Sequence, residues 1–163
     1  MSRNLIVLGA IIVFCSCSHS YYVVRHAEKA SKEANMTSDV PLSEQGRQRA
    51  EALKVIMKDK KIRSVYSTNT IRTKATAQPT ADEFHLTIEI YGPRPDSGFI
   101  SLLKSINKNT LVVGHSNTVD DIVNMLCGEK KVPGDLADNE YDNLFIIKKK
   151  GKRYHFTLQK FGN

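Results

Sequence analysis

Thr110-Leu111-Val112-Val113-Gly114-His115-Ser116-Asn117 joins an unbroken apolar strand to a small polar turn. A strand that does not alternate with polar residues is buried on both faces, as in a parallel sheet covered by helices. The residues that follow support that reading. Val119, Ile122, Val123 and Leu126 fall at i, i+3, i+4 and i+7, the stripe of an amphipathic helix over Thr118–Leu126. A buried strand running into a helix is half of a βαβ unit, and the neighbouring sequence repeats the pattern.

Toward the N-terminus, Tyr21 to Arg25 predicts the first strand, followed by a polar loop from Ala30 to Pro41. Ser43 then caps a helix whose inward positions are Gly46, Ala50, Leu53 and Met57. Ile62–Ser67 predicts the second strand, and Asn69 to about Glu83 a helix that Pro79 kinks or ends. Leu86–Tyr91 predicts a third strand, Gly92-Pro93-Arg94-Pro95 a turn, and Gly98–Ile106 a helix. Beyond the opening stretch, Asn143–Lys149 and Arg153–Lys160 form a hairpin about Lys150-Gly151-Lys152. The expected fold is α/β, a three-layer sandwich with a mostly parallel central sheet, helices on both faces and a C-terminal hairpin.

A chain of 163 residues that is 40% hydrophobic has room for one well-buried domain. The 24 basic and 17 acidic residues give a net charge of +7, which favours anionic substrates or surfaces. No zinc-finger, homeodomain or RNP pattern is present and aromatics do not interleave with the cations, so nucleic acid is not the expected partner. The densest basic cluster, Lys148, Lys149, Lys150, Lys152 and Arg153 around Gly151, is read as a solvated hairpin tip.

Arg3 followed by the uncharged stretch Leu5–Phe14 and the small residues Ser16, Cys17 and Ser18 is the pattern of an export signal. Ten apolar residues are too few to span a bilayer, which takes ~20. Phe14-Cys15-Ser16-Cys17 resembles a bacterial lipoprotein signal with cleavage before Cys17, so residues 1–16 are expected to be a signal peptide and residues 17–163 the mature domain. The mature protein would be an exported envelope protein held at a membrane through a lipid on Cys17. Cleavage nearby without lipidation is the alternative. With Cys17 blocked, Cys127 has no disulfide partner, and its place beside the helix stripe makes it a small core hydrophobe.

Three predicted strands end in residues suited to an anion: Arg25 and His26, then Ser67 to Arg72, then His115. Ligands of open α/β sheets bind outside the carboxyl ends of the strands. Arginine grips phosphate oxygens with two parallel bonds and keeps its charge at any accessible pH. Helix starts at Asn69 and Thr118 would aim free amides at the same anion.

These motifs, taken in order, resemble the histidine phosphatase superfamily, the phosphoglycerate mutase-like fold, along nearly all of residues 21–163. Arg25-His26-Ala27-Glu28 resembles the family signature, with alanine where many members have glycine. Pro41-Leu42-Ser43-Glu44-Gln45-Gly46 resembles the segment opening the first helix, and Ser67-Thr68-Asn69-Thr70-Ile71-Arg72-Thr73 with Thr76-Ala77 the second arginine motif. Gly114-His115-Ser116 resembles the second histidine motif, and Glu140-Tyr141-Asp142-Asn143-Leu144 the entry to the last strands.

The resemblance implies a phosphomonoesterase needing no metal or cofactor, with His26 as nucleophile forming a phosphohistidine that water hydrolyses. Arg25, Arg72 and His115 would hold the phosphoryl oxygens, with Asn69 at the same substrate. The family places its general acid variably. Asp96 is the first choice, with Glu28, Glu89 and Asp120 as alternatives, and without an acid good leaving groups are favoured. Adjacent Asp120 and Asp121 on a helix do not face one ion, so a metal is not expected. Mutases of the family carry insertions that enclose a bisphosphate, and the short loops here favour hydrolysis of a small phosphorylated substrate. A protein phosphohistidine phosphatase is the runner-up, its cytosolic partners set against export. A catalytically inactive phosphate- or polyanion-binding module is the reading outside enzymes.

Overall fold

The computed structural model describes residues 18–31 and 39–162. Its elements run β1 (Ser18–Arg25), α1 (Glu44–Met57), a short 3-10 turn (Lys58–Lys60), β2 (Ser64–Thr68), α2 (Ile71–Glu83), β3 (Ile88–Tyr91) and α3 (Ser97–Ser105). They continue through β4 (Thr110–Gly114), α4 (Val119–Cys127), β5 (Asn143–Lys150) and β6 (Arg153–Lys160). The six strands form one sheet in the order β3-β2-β4-β1-β5-β6. The first four in that order are parallel, and β5 and β6 close the sheet antiparallel. The expected signal segment and the expected lipidation site at Cys17 lie outside the described residues, as does part of the 30–41 loop.

Strand side chains alternate between two faces, and both are covered. Tyr21, Val23, Tyr66, Val112, Phe145 and Ile147 pack against Phe99 and Leu103 of α3 and Ile122 and Leu126 of α4. Tyr22, Val24, Val65, Leu111, Val113 and Leu144 pack against Leu53 and Met57 of α1 and Ala77 and Ala81 of α2. Leu111, Val112 and Val113 are fully buried, as an unbroken apolar strand between two helical layers requires. The α4 stripe Val119, Ile122, Val123 and Leu126 is buried throughout. Cys127 is half-buried against this core, and burial raises its thiol pKa.

The start of α1 is bolted to the segment behind β1. Ser43 Oγ accepts from the Gly46 amide at 3.1 Å, and the Ser43 amide donates to the Glu28 carbonyl at 2.9 Å. A Cβ on Gly46 would lie 2.2 Å from the Glu28 carbonyl oxygen, so no side chain fits between helix and strand end. Gly46→Ala is therefore expected to destabilise by roughly 1–3 kcal/mol through overpacking, although alanine is the better helix former. A urea midpoint equal to or above wild type would contradict this.

Helix α2 ends at Glu83 as the sequence reading expects, but it starts at Ile71 rather than Asn69 and Pro79 does not end it, and β1 starts ahead of Tyr21. Helix α2 continues through Pro79 to Glu83. Its buried face, Thr73, Thr76, Ala77, Thr80 and Ala81, holds both halves to the core, and that packing outweighs the backbone bond that proline removes. Strand β1 begins three residues before Tyr21, because Ser18, His19 and Ser20 pair with Lys150, Lys149 and Lys148 of β5. His19, which lacks catalytic partners in sequence, is buried beside the Tyr21 hydroxyl at 2.9 Å. That hydroxyl donates to the Leu103 carbonyl.

Candidate active site

β1, β4 and β2 lie side by side with Arg25 opposite Gly114 and Ser67 opposite Val113. Their carboxyl ends therefore share one edge of the sheet. The His26 amide extends the ladder, donating to the Gly114 carbonyl at 2.9 Å. Arg25 and His26 leave β1, His115 leaves β4, and Thr68 ends β2 just ahead of Arg72 on α2.

Arg25 is buried and its guanidinium is fixed from two directions. One Nη donates to the carbonyls of Ala137, Asp138 and Glu140 at 2.8, 3.3 and 3.3 Å, and Cζ sits 4.0 Å from the centroid of the Tyr141 ring. Arg72 donates from one Nη to Asp39 Oδ1 at 3.3 Å and from the other to His115 Nδ1 at 3.4 Å. The Nε atoms of Arg25 and Arg72 are both buried without a partner among the described residues. Buried guanidinium donors left unpaired are rare and call for an explanation.

His26 is buried, with Nδ1 at 2.8 Å from the Ala27 carbonyl. A carbonyl only accepts, so Nδ1 carries the proton and Nε2 keeps a free lone pair. The His115 ring lies 5.4 Å away, edge-on. His115 Nδ1 accepts from Arg72, so its Nε2 donates to Thr68 Oγ1 at 2.9 Å. Thr76 ties the cage together: its Oγ1 accepts from the Ala27 amide at 2.9 Å and donates to the Arg72 carbonyl at 2.8 Å.

The electrostatics follow from this crowding. Burial, then the charges of Arg72, His115 and Arg25, push His26 down to about 3, against the opposing pull of the Ala27 carbonyl. Burial and Arg72 push His115 down to about 4, with Asp39 opposing. Both imidazoles are neutral at pH 7 while both guanidiniums are charged. The unfolded chain binds these two protons below about pH 6.5 and the folded chain does not, so stability falls as pH drops from 6.5 through 4 toward 3. The slope reaches about 1.4 kcal/mol per pH unit for His26 and less for His115, whose ring is partly exposed. Urea midpoints of His26→Asn should depend less steeply on pH than those of wild type, and equal slopes would contradict the assignment.

The remaining candidates sit elsewhere. Asp96 is the N-cap of α3, accepting from the Phe99 amide at 2.7 Å. Glu28 pairs with Arg49 at 2.6 Å, the two side chains 13% and 11% exposed, and Arg49 also donates to the Phe161 carbonyl. That carboxylate anchors α1 and the C-terminal segment to the signature loop. Glu89 is exposed on β3. Asp120 is buried, and burial with Asp121 and Asp135 nearby raises its pKa. None of these four hydrogen-bonds or ion-pairs with Arg25, His26, Arg72 or His115. Among the described residues the carboxylate that does is Asp39, from the polar loop, which also accepts from the Ile71 amide at 3.0 Å.

Asn69 is exposed and accepts from Lys74 Nζ at 3.0 Å. It does not start the helix: Thr70 is the N-cap of α2, and Asp39 takes the first amide. At α4 the Thr118 and Val119 amides close back onto the His115 carbonyl, each at 3.1 Å. The Ile71, Thr118 and Val119 amides are thus engaged within the protein. Thr68, Thr76 and Tyr141 lay inside recognised motifs without an assigned role. Asp39 carries no sequence signal that separates it from its polar neighbours.

Residues 21–92 match the family model of the histidine phosphatase superfamily, branch 1. No curated protein sequence matches the chain. Among solved structures, a protein from Agrobacterium tumefaciens assigned as the phosphohistidine phosphatase SixA aligns at TM-score 0.65 and 21% identity, covering 87% of this chain and 96% of that one. SixA, a protein histidine phosphatase solved with tungstate, aligns at TM-score 0.64 and 18% identity over 86% and 96%. A mycobacterial glucosyl-3-phosphoglycerate phosphatase aligns at TM-score 0.59 and 11% identity over 88% and 98%. The chain has the α/β fold of these proteins, and the family match supports the histidine phosphatase superfamily.

Proposed function

We propose that this chain is a histidine phosphatase of that superfamily, a metal-independent phosphomonoesterase acting through a phosphohistidine on His26. The observation that carries the reading is the neutral His26, its Nδ1 proton held on the Ala27 carbonyl, beside two buried guanidiniums whose Nε donors have no partner among the described residues. The Nε2 lone pair attacks phosphorus in line as the P–O bond to the leaving group breaks, forming P–N. Water then attacks phosphorus, the P–N bond breaks, and inorganic phosphate and neutral His26 return. Covalent catalysis divides one difficult step into two easier ones. Arg25 and Arg72 hold the oxygens on which charge spreads, and His115 joins them by turning its Nε2 proton from Thr68 to a phosphoryl oxygen.

A narrower substrate class is favoured by the carboxylates. Among the described residues Asp96 is committed to capping, Glu28 to Arg49, and Asp39 to Arg72 and the Ile71 amide, which favours a leaving group that departs with little proton assistance. Phosphohistidine and acyl phosphates leave in that way, and phosphohistidine is the substrate class named for the SixA proteins. Tungstate, a tetrahedral oxyanion held in one of those structures, is the natural competitor for the same cage.

The full chain in EDTA is expected to release phosphate from p-nitrophenyl phosphate, faster than from phenyl phosphate, with tungstate competing. No release, or activity abolished by EDTA, would overturn the proposal. Tungstate binding without turnover would instead mark a binding module. We further propose residues 17–163 as the mature domain, exported and lipid-anchored at Cys17. Cys17→Ala should abolish lipid labelling, and continued labelling would refute that site.

A further inference from the structure

We infer that the end of the sheet opposite the candidate active site is a basic docking surface for anionic lipid headgroups. Strands β1, β2 and β4 all begin at this end. The loops feeding β2 and β4 bring Lys61, Arg63 and Lys108, and the β5–β6 turn brings Lys150, Lys152 and Arg153. All six side chains are exposed, and none is ion-paired among the described residues. Asp59, in the 3-10 turn, is the acid nearest to them in sequence.

The cations are fixed relative to one another. Asn109 knits the end together: its carbonyl accepts from the Arg63 amide at 2.8 Å, its Nδ2 donates to the Lys60 carbonyl at 2.7 Å, and its Oδ1 accepts from the Ser20 amide at 2.9 Å. The pairing of Ser18 with Lys150 sets the hairpin tip beside the first residue of β1. Gly151, with φ of 59°, makes the tight turn that projects Lys150, Lys152 and Arg153 together.

The partner is a bilayer because of what leaves the domain here. The apolar stretch Leu5–Phe14 would direct the chain to a membrane before cleavage, and Cys17, with which the mature domain would start, adjoins Ser18 at the same end as the cations unpaired among the described residues. Lys and Arg near an anionic membrane contribute about a decade of partitioning for every one or two residues. The surface does not depend on acylation of Cys17, but a lipid there would press the same end to the membrane. His26 lies eight residues along β1 from Ser18, about 26 Å at the usual strand rise. That is several times the ~8 Å screening length at physiological salt. The phosphate cage would then face away from the membrane, beyond competition from headgroup phosphates.

The test is vesicle co-sedimentation of the full chain with phosphatidylcholine vesicles, alone and with one-third phosphatidylglycerol, at low and high salt. Binding should rise at least tenfold with phosphatidylglycerol and lose that gain at high salt. The triple variant Lys150→Glu, Lys152→Glu, Arg153→Glu and the double variant Lys61→Glu, Lys108→Glu should each lose most of the gain while hydrolysing p-nitrophenyl phosphate as wild type does. Vesicle binding is read without reference to activity, so this result and the phosphatase proposal can fail separately. Equal binding to both vesicle types, or undiminished binding by the variants, overturns the inference. So does a preference for duplex DNA over the anionic vesicles at matched salt, which would make the partner a nucleic acid.

Discussion

His26→Ala is expected to lower kcat for p-nitrophenyl phosphate by at least about 10³-fold while changing KM and tungstate affinity only a few-fold. The asymmetry comes from the division of labour in the cage. His26 is neutral, so its removal takes no charge from the site, and the Arg25 and Arg72 guanidiniums remain to hold an oxyanion. What disappears is the Nε2 lone pair, which acts only as phosphorus is attacked. Interactions made only on the way to the transition state appear in kcat rather than KM. The variant should also fold, because the ladder bond at this position runs from the His26 amide to the Gly114 carbonyl. Steady-state kinetics with circular dichroism checks both points, and a variant retaining a tenth of wild-type kcat would remove His26 from the chemistry.

Arg72→Ala should cost about 10²–10³ in kcat/KM and should also change the pH profile. Arg72 is the largest charge acting on both imidazoles after burial itself. Without it, the His115 pKa rises from about 4 toward its ordinary value, further raised by Asp39, which then faces the ring without its ion pair. Wild-type His115 stays neutral across pH 5–8, whereas in the variant its titration moves up, with burial still holding it down. Histidine NMR of the two proteins reads this directly. Arg72→Lys returns the charge but not the paired geometry, so it should restore the His115 titration more than the activity. An unmoved His115 pKa in Arg72→Ala would contradict the arrangement.

Much of the architecture was legible because its signals are local. The unbroken run Leu111–Val113, the stripe Val119, Ile122, Val123 and Leu126, and the α1 positions Gly46, Ala50, Leu53 and Met57 are all buried, each announced by periodicity within one element. The helix to Glu83 was legible as well, but that Pro79 does not end it was not, since its cause is packing from elsewhere in the chain. Ser18–Ser20 extend β1 only because β5 lies alongside, a pairing between residues more than 100 positions apart. At the site, Arg25, His26, Arg72 and His115 could be picked out since neighbouring parallel strands must end on one edge. Carboxylates were harder to place. Asp39, Glu28 and Asp96 are alike in composition, and what separates them is the partner each meets: Arg72, Arg49 and the Phe99 amide.

The phosphoenzyme is the central claim, and rapid quenching of the full chain during turnover of ³²P-labelled acetyl phosphate tests it most directly. The account predicts base-stable, acid-labile label, recovered in the peptide containing His26 and absent from His26→Ala. Turnover with no label on the protein, label that survives acid, or label on a residue other than His26 would contradict it.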